Sequence, residues 1–238
     1  MTQLAPYEVL IVSLDTDILR REACKSQLFG WNYRFIPAVD GRSKEQSNDG
    51  LVTAPVEAIW QSHNLALREF LATDSQYCLV LEDDFAVKNP KKFEKLMSAL
   101  LVEDFDLAQV GWLTTGLDVA FLRVYEGSLY AVCRVLNRLS RYSARLAKVL
   151  DSKLRPRRCG QVPPFSIPDS FFPGAHAYVV SRDFAEAVLN LNHPIFLATD
   201  DFYSALSKMR SFNVFRTRKS FIGQKGDSSV GANRFTRR

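Results

Sequence analysis

Glu82, Asp83 and Asp84 stand directly after the apolar run at residues 77–81. Burying adjacent carboxylates costs far more than a strand can return. They therefore belong at the exit of a strand, where open α/β sheets bind their ligands. A carboxylate group in that place can hold a hard divalent cation, and the cation a phosphate. The plain alternative is an acidic turn that caps the next helix. Further carboxylates stand at comparable points, Asp15 and Asp17 near the start of the chain and Asp200 and Asp201 late in it. Such a set suits group transfer: one group holds a metal on a nucleotide diphosphate, and another, far along the chain, takes a proton from an attacking hydroxyl.

These residues need elements to position them. Residues 8–14 read as a buried strand and 15–17 as a turn with a helix N-cap. Residues 18–29 carry apolar side chains at helical spacing, with Arg20 and Arg21 on the other side and Gly30 as the stop. A second strand follows at 33–39, closed by Asp40-Gly41. Strand, helix, strand at this length is a unit that feeds a parallel sheet. A strong helix is predicted at 54–72, with Pro55 in its first turn. The run 77–81 is then a strand buried on both faces. A helix at 91–101, a strand at 105–110, a strand at 175–180, a helix at 183–191, a short helix at 202–209 and a last strand at 214–221 complete the reading. The fold class is therefore α/β, with a mostly parallel central sheet flanked by helices.

Residues 120–160 differ in character. Arg134, Arg138, Arg141, Arg145 and Lys148 recur at three- and four-residue steps with aliphatic residues between them. This predicts a basic amphipathic helix at 132–150, able to lie on an anionic membrane surface; an ordinary solvated helix face is the alternative. Residues 223–238 read as a polar, basic tail, mobile or closing over a ligand.

At 238 residues the chain suits one domain with an insertion. Hydrophobic residues make up 47% and charged residues 24%, which excludes a disordered chain. The net charge of +5 points to anionic partners. None of the 4 cysteines forms a C-x-x-C pair, so they read as reduced thiols. With no secretory leader at the start and no spanning apolar run, a cytoplasmic protein is expected. Trp31, Trp60 and Trp112 are expected in the core. His63 and His176 read as hydrogen-bonded core residues and His193 as a turn residue.

Two family patterns can be laid on these residues. In haloacid-dehalogenase-type phosphatases one aspartate attacks a phosphate ester and another acts as acid, which here would be Asp15 and Asp17. That pattern expects Thr or Val where Leu19 stands and leaves Glu82, Asp83 and Asp84 without a role. The other pattern covers most of the chain in order. The opening strand with Arg20-Arg21, the run Ala38-Val39-Asp40-Gly41-Arg42, Glu57 with Ser62-His63, Leu81-Glu82-Asp83-Asp84, and Gly174 with Tyr178-Val179-Val180-Ser181 resemble glycosyltransferase family 25. These are the lipooligosaccharide-type transferases related to collagen galactosyltransferases. An aspartate after the later helix corresponds to Asp200 or Asp201.

The resemblance implies a GT-A-like, Rossmann-like domain that uses Mn²⁺ or Mg²⁺ and a UDP-sugar, UDP-galactose in many members, with inversion at the anomeric carbon. The metal would rest on Asp84 and Glu82, and Asp200 or Asp201 would be the base. Ser13, Asp15 and Arg20, near the first strand's end, would touch the nucleotide; Asp40, His63 and Asp83 stand in the matching motifs and are counted with them. The acceptor would be a glycan or glycolipid of a bacterial surface polysaccharide or lipooligosaccharide. The enzyme would then work in the cytoplasm, peripheral on the inner face of the inner membrane. Nucleic acid is not expected as a partner. A non-catalytic basic module that binds lipid or nucleic acid is the reading from another class.

Overall fold

The computed structural model describes residues 7–28, 30–42, 52–112, 165–166, 174–191, 195, 197–208, 212–217 and 220–225. The expected basic helix at 132–150, the insertion that holds it, Cys133, Cys159, His193 and the tail from residue 226 lie outside them.

The strands are β1 (Tyr7–Ser13), β2 (Arg34–Pro37), β3 (Tyr77–Glu82), β4 (Phe85–Val87), β5 (Leu107–Gly111), β6 (Phe165–Ser166), β7 (Ala177–Ser181), β8 (Val214–Thr217) and β9 (Ile222–Gln224). The helices are α1 (Ile18–Gln27), α2 (Ala54–Leu71), α3 (Pro90–Leu100), α4 (Arg182–Leu191) and α5 (Thr199–Lys208). One sheet runs in the order β2-β1-β3-β7-β5-β8-β6, with β4 and β9 paired off that path. β1, β2 and β3 are mutually parallel, and β5, β8 and β9 are parallel to one another. β7 runs against both β3 and β5, and β6 runs against β8. The expected α/β class with a mostly parallel sheet flanked by helices is the observed one.

Side chains alternate across each strand, so the sheet has two cores. On one face Leu10, Val12, Cys78, Val80, Tyr178 and Val180 pack under α2, α4 and α5. On the other, Val9, Ile11, Leu79, Leu81 and Val179 pack under α1 and α3. The interior strands read as continuous apolar runs because both of their faces are covered.

Several boundaries differ from the sequence reading, each for a local reason. The strand expected at 214–221 ends at Thr217, and a separate strand, β9, follows at 222–224. β9 pairs with β4 and touches β5 at Gly111. Gly223 and Gln224 therefore belong to the sheet and not to a free tail. The run 85–87, left without an element by the sequence reading, is β4. The last helix starts at Thr199, so Asp200 and Asp201 lie within its first turn and not before it. In α1, Cys24 and the following Leu28 are buried, whereas Leu19 is 84% exposed, so the helix meets the sheet only at its far end. Asp17 takes the N-cap position without a side-chain capping bond; its carboxylate pairs with Arg20 at 3.4 Å. Gly41 explains the Asp40-Gly41 run: a Cβ there would meet the Pro55 Cα at 2.8 Å, at the start of α2.

The consequence for function is geometric. β1, β3, β5 and β8 end, and β7 begins, along one edge of the sheet. That edge collects Ser13, Glu82, Gly111 and Thr217, with His176 just before β7. Among the described residues no helix is long and apolar enough to cross a membrane.

Candidate active site at the sheet edge

On the α1 side of the edge the groups are ionic. Buried Ser13 ends β1, and Arg21 reaches it with Nε donating to Oγ at 3.2 Å and Nη2 donating to the carbonyl at 3.1 Å. The same guanidinium pairs with Asp15. Arg20 turns toward β3, donates to Asp83 Oδ1 at 3.0 Å and stands 3.9 Å from Asp84 Oδ2. Cys24 donates its thiol to the Asp83 carbonyl at 3.1 Å. Burial, with the charges of Asp83 and Asp84, pushes that thiol up to about 12, so it is an inert packing group.

On the opposite side the groups are mostly uncharged and buried. Glu82, the last residue of β3, faces α2. His63 Nε2 lies 3.4 Å from Glu82 Oε1, and His63 Nδ1 lies 3.0 Å from the Tyr178 hydroxyl. Tyr203, on α5, donates its hydroxyl to Tyr178 at 3.2 Å. Burial raises both tyrosines, which keeps them as hydroxyls. Burial alone would push the Glu82 carboxyl up, but the His63 bond and the nearby His176 and Arg20 bring it below its ordinary value. His176 itself is held down by burial, and its Nδ1 has no hydrogen-bond partner among the described residues.

Asp84 lies between these two groups. It is only 9% exposed. Gln224 donates to its Oδ2 at 2.6 Å, and the Lys225 N–H donates to its carbonyl at 2.6 Å. Its Oδ1 is buried without a partner among the described residues. Burial first, then the charge of Glu82, pushes this carboxyl up to about 6, with Gln224 and Arg20 opposing the rise. A carboxylate with one orphaned oxygen beside a second carboxylate fits a cation better than it fits the bare protein. Among the described residues no group of three or more His, Cys, Asp and Glu side chains could hold a metal by itself. Mg²⁺ needs no such cage, since it commonly takes one or two carboxylates and completes its shell with water and substrate phosphate. Asp84 therefore fits the cation that the sequence reading expected, and Glu82, beside it, is bonded to His63.

Asp200 and Asp201 stand on the Tyr203 side of the edge. Asp200 Oδ2 accepts the Gly174 N–H at 3.1 Å, and its Oδ1 accepts the Asp201 N–H at 3.1 Å. Gly174 has φ 100°, a left-handed conformation that favours glycine, and its carbonyl accepts from Gln109 at 3.0 Å. Asp200 thus ties the turn before β7 to the start of α5, and Asp201 is half-buried beside it.

The edge brings together Ser13, Asp15, Arg20, Glu82, Asp83, Asp84 and His63. Asp40 follows β2, whose last residue, Pro37, pairs with Ser13, and its carboxylate accepts from the Arg42 Nε and Nη2, both at 2.9 Å. His63 is the hydrogen-bonded core histidine that its apolar helix predicted, yet it also touches Glu82. Trp60 and Trp112 are buried as expected, and half-buried Trp31 stacks on Phe93. Sequence reasoning missed Arg21, Tyr203 and Gln224. Arg21 was legible in kind, since either arginine of α1 can reach the strand exit. Nothing local marked Gln224, which meets Asp84 from 140 residues away.

The family model of glycosyltransferase family 25, described as an LPS biosynthesis protein, matches residues 7–203. Among solved structures the chain is similar to the crystal structure of A197 from STIV. That likeness has 12% identity and a TM-score of 0.41, covering 94% of this chain and 96% of that one. It is also similar to a glycosyltransferase involved in glycosylation of the major capsid of PBCV-1, at 10% identity and a TM-score of 0.37, covering 79% and 67%. No curated protein matches the chain.

Proposed function

The chain belongs to glycosyltransferase family 25, and from that premise we propose that it moves a hexose, galactose from UDP-galactose, onto a surface glycan or glycolipid with inversion. Asp84 carries the reading. A buried carboxylate with an orphaned oxygen, pushed up to about 6, is an unfavourable group in the bare protein and a favourable one beside a cation. Asp84 would hold Mn²⁺ or Mg²⁺, which would supply neutralising charge for the departing diphosphate. Arg20, already against Asp83 and near Asp84, adds positive charge on the α1 side. Ser13 and Asp15 border the same place and would meet the nucleotide.

Asp200 or Asp201 takes the proton from the acceptor hydroxyl. The acceptor oxygen bonds to the anomeric carbon while the bond from that carbon to the diphosphate breaks. A single displacement of this kind inverts the centre, as it does in inverting hydrolases when water attacks. The basic stretch around Arg134, Arg138 and Arg141 would hold the enzyme on an anionic surface, the inner face of a membrane that carries a glycolipid acceptor.

A thermal-shift screen of nucleotide sugars, with and without Mn²⁺, tests this reading, because a ligand that binds the folded chain raises its melting temperature by mass action. UDP-galactose should raise it most, and only with the cation present. No response to any nucleotide sugar would remove the donor reading. The acceptor side is tested by co-sedimentation with anionic vesicles: binding should weaken with salt and with Arg134→Gln, Arg138→Gln and Arg141→Gln together. A wild type that ignores such vesicles would remove the membrane contact.

A further inference from the structure

The hydrogen bonds behind Glu82 have a fixed direction. A carboxylate only accepts, so His63 Nε2 must carry the hydrogen that faces Glu82 Oε1. In a neutral imidazole the other nitrogen is then an acceptor, and the Tyr178 hydroxyl donates to Nδ1. The Tyr178 oxygen is left to accept from Tyr203. Every hydrogen in the chain Tyr203–Tyr178–His63 thus points toward Glu82. A protonated ring would make Nδ1 a second donor and leave the Tyr178 hydrogen without that acceptor.

His63, Tyr178 and Tyr203 are buried, yet Glu82 keeps 29% of its side chain exposed. A line of buried polar groups ends on a carboxylate that opens to the site. Each of the three buried positions could carry an apolar side chain with no hydrogen bond to satisfy. Their alignment fixes the Glu82 carboxylate in one orientation and leaves oxygen lone pairs facing outward.

Position says what those lone pairs meet. The donor's diphosphate belongs at Asp84. Asp200 and Asp201 belong to α5, on the same side of the sheet as Glu82 and His63. In a single displacement the anomeric carbon lies between the departing phosphate and the attacking oxygen, so the sugar ring must extend from Asp84 toward α5. Glu82, two residues before Asp84 and joined through the relay to Tyr203 of α5, lies along that path.

We propose that Glu82 accepts a hydrogen bond from a hydroxyl of the donor's sugar, and that His63, Tyr178 and Tyr203 are positioning residues that hold it for that contact. Glu82 then reads the sugar, whereas Asp84 serves the diphosphate. The inference rests on the donor reading above and adds a residue that recognises the transferred unit.

The experiment pairs each nucleotide sugar with its bare nucleotide. Calorimetry of the full chain in Mn²⁺ compares UDP with UDP-galactose and UDP-glucose. For Glu82→Gln, affinity for the preferred UDP-hexose should fall by ~10–100-fold, the loss expected for a hydrogen bond to a charged group. UDP affinity should stay within about twofold of wild type. Tyr203→Phe removes one hydroxyl at the far end of the relay and should show the same split at about three- to tenfold. A merely structural tyrosine would lower thermal stability without separating UDP from UDP-hexose. Equal losses for UDP and UDP-hexose in Glu82→Gln would make Glu82 a metal or diphosphate group and overturn the proposal, as would no loss in either. Should Glu82→Gln fail to fold, Glu82→Asp, which keeps the charge but draws it back, must show the split instead. Wild type that binds neither member of any pair would sink the donor reading together with this one. Wild type that binds both, with an even loss in the variants, sinks this one alone.

Discussion

The two sides of the sheet edge are built from different materials. On the α1 side, Arg20 and Arg21 meet Asp15, Asp17 and Asp83 in ion pairs that solvent reaches. On the α2 and α5 side, two hydroxyls and an imidazole make a buried line to Glu82. Exposed ion pairs contribute about 0–1 kcal/mol each, and a guanidinium in one can trade its carboxylate for an incoming phosphate at little cost. A buried relay does not trade partners, because each unmade bond costs ~1–3 kcal/mol. The first arrangement suits groups that must grip and release a charged leaving group. The second suits groups that must stay in one geometry while bonds change. Asp84 belongs to neither, since it is buried like one set and charged like the other.

If chemistry depends on the α5 side, the largest effect should come from there. Asp200→Asn or Asp201→Asn should lower turnover by ~10²–10⁴-fold, the usual share of a general base, with donor affinity little changed. Steady-state kinetics with titrated donor would read the split. Full turnover in both variants would mean that the α5 side only supports the fold, and the contrast between the two sides would lose its catalytic meaning. Asp200 holds two backbone N–H groups at 3.1 Å each, so its variant should also lose stability.

Asp84→Asn comes next. Donor affinity in Mn²⁺ should fall by about 10²-fold or more, since a buried charge loses its partner. The bare protein should respond in the opposite sense. The Asp84 carboxyl is raised from 3.8 to about 6, mainly by burial. Below pH 3.8 it is protonated in both folded and unfolded chains and its contribution to stability is fully present. As the pH climbs toward 6 the folded chain must ionise a buried group, and about 3 kcal/mol is lost. Chemical denaturation across that window, without metal, should show the slope in wild type and a flatter profile in Asp84→Asn. Identical profiles would mean that Asp84 is better paired than its orphaned oxygen indicates.

A third effect is confined to stability. Tyr178→Phe leaves His63 Nδ1 without its donor and Tyr203 without its acceptor inside an apolar cluster. The cost should be ~1–3 kcal/mol in denaturant midpoints at unchanged slope. A neutral result would mean that water or a rotated ring replaces the bond, and that the relay is looser than the α1 side it is contrasted with.

The sequence carried the α1 side better than the other. Apolar runs ending in Ser13 and in Glu82-Asp83-Asp84 were enough to place two strand exits at one edge, and a helix of suitable length put Arg20 and Arg21 over them. α2 was legible almost to the residue, because Pro55 and a long apolar face fix its start and extent. The relay was not legible. His63, Tyr178 and Tyr203 are separated by 115 and 25 residues, and only the reversed insertion of β7 between β3 and β5 makes them neighbours. Periodicity reports which face of an element is apolar; it does not report which polar atom meets another across the sheet. β9 escaped for a related reason. Its residues, Ile222, Gly223 and Gln224, have no strand pattern of their own and are held by pairing to β4.

The smallest effect should come from Asp15→Asn, and it decides between two chemistries. Asp15 is 68% exposed, and it pairs with Arg21. That guanidinium keeps two bonds to Ser13, so the pair can be lost with a change within about 1 kcal/mol and a few-fold rise in the donor's KM. In a phosphatase of the haloacid-dehalogenase type Asp15 would instead be the nucleophile, and an amide there would end the reaction. The geometry argues against that role. A nucleophile needs a second group poised on the same ester, but Asp17 is engaged with Arg20, and the following Leu19 points into solvent. The late aspartate pair, which would have to hold magnesium beside Asp15, is on α5, across the sheet from α1, with Asp200 bound to backbone N–H groups. Transfer from a nucleotide sugar should therefore persist in Asp15→Asn while a generic phosphomonoester is left untouched by wild type and variant alike. Ester hydrolysis by wild type that vanishes in Asp15→Asn would reverse the comparison and make the exposed ionic side the catalytic one.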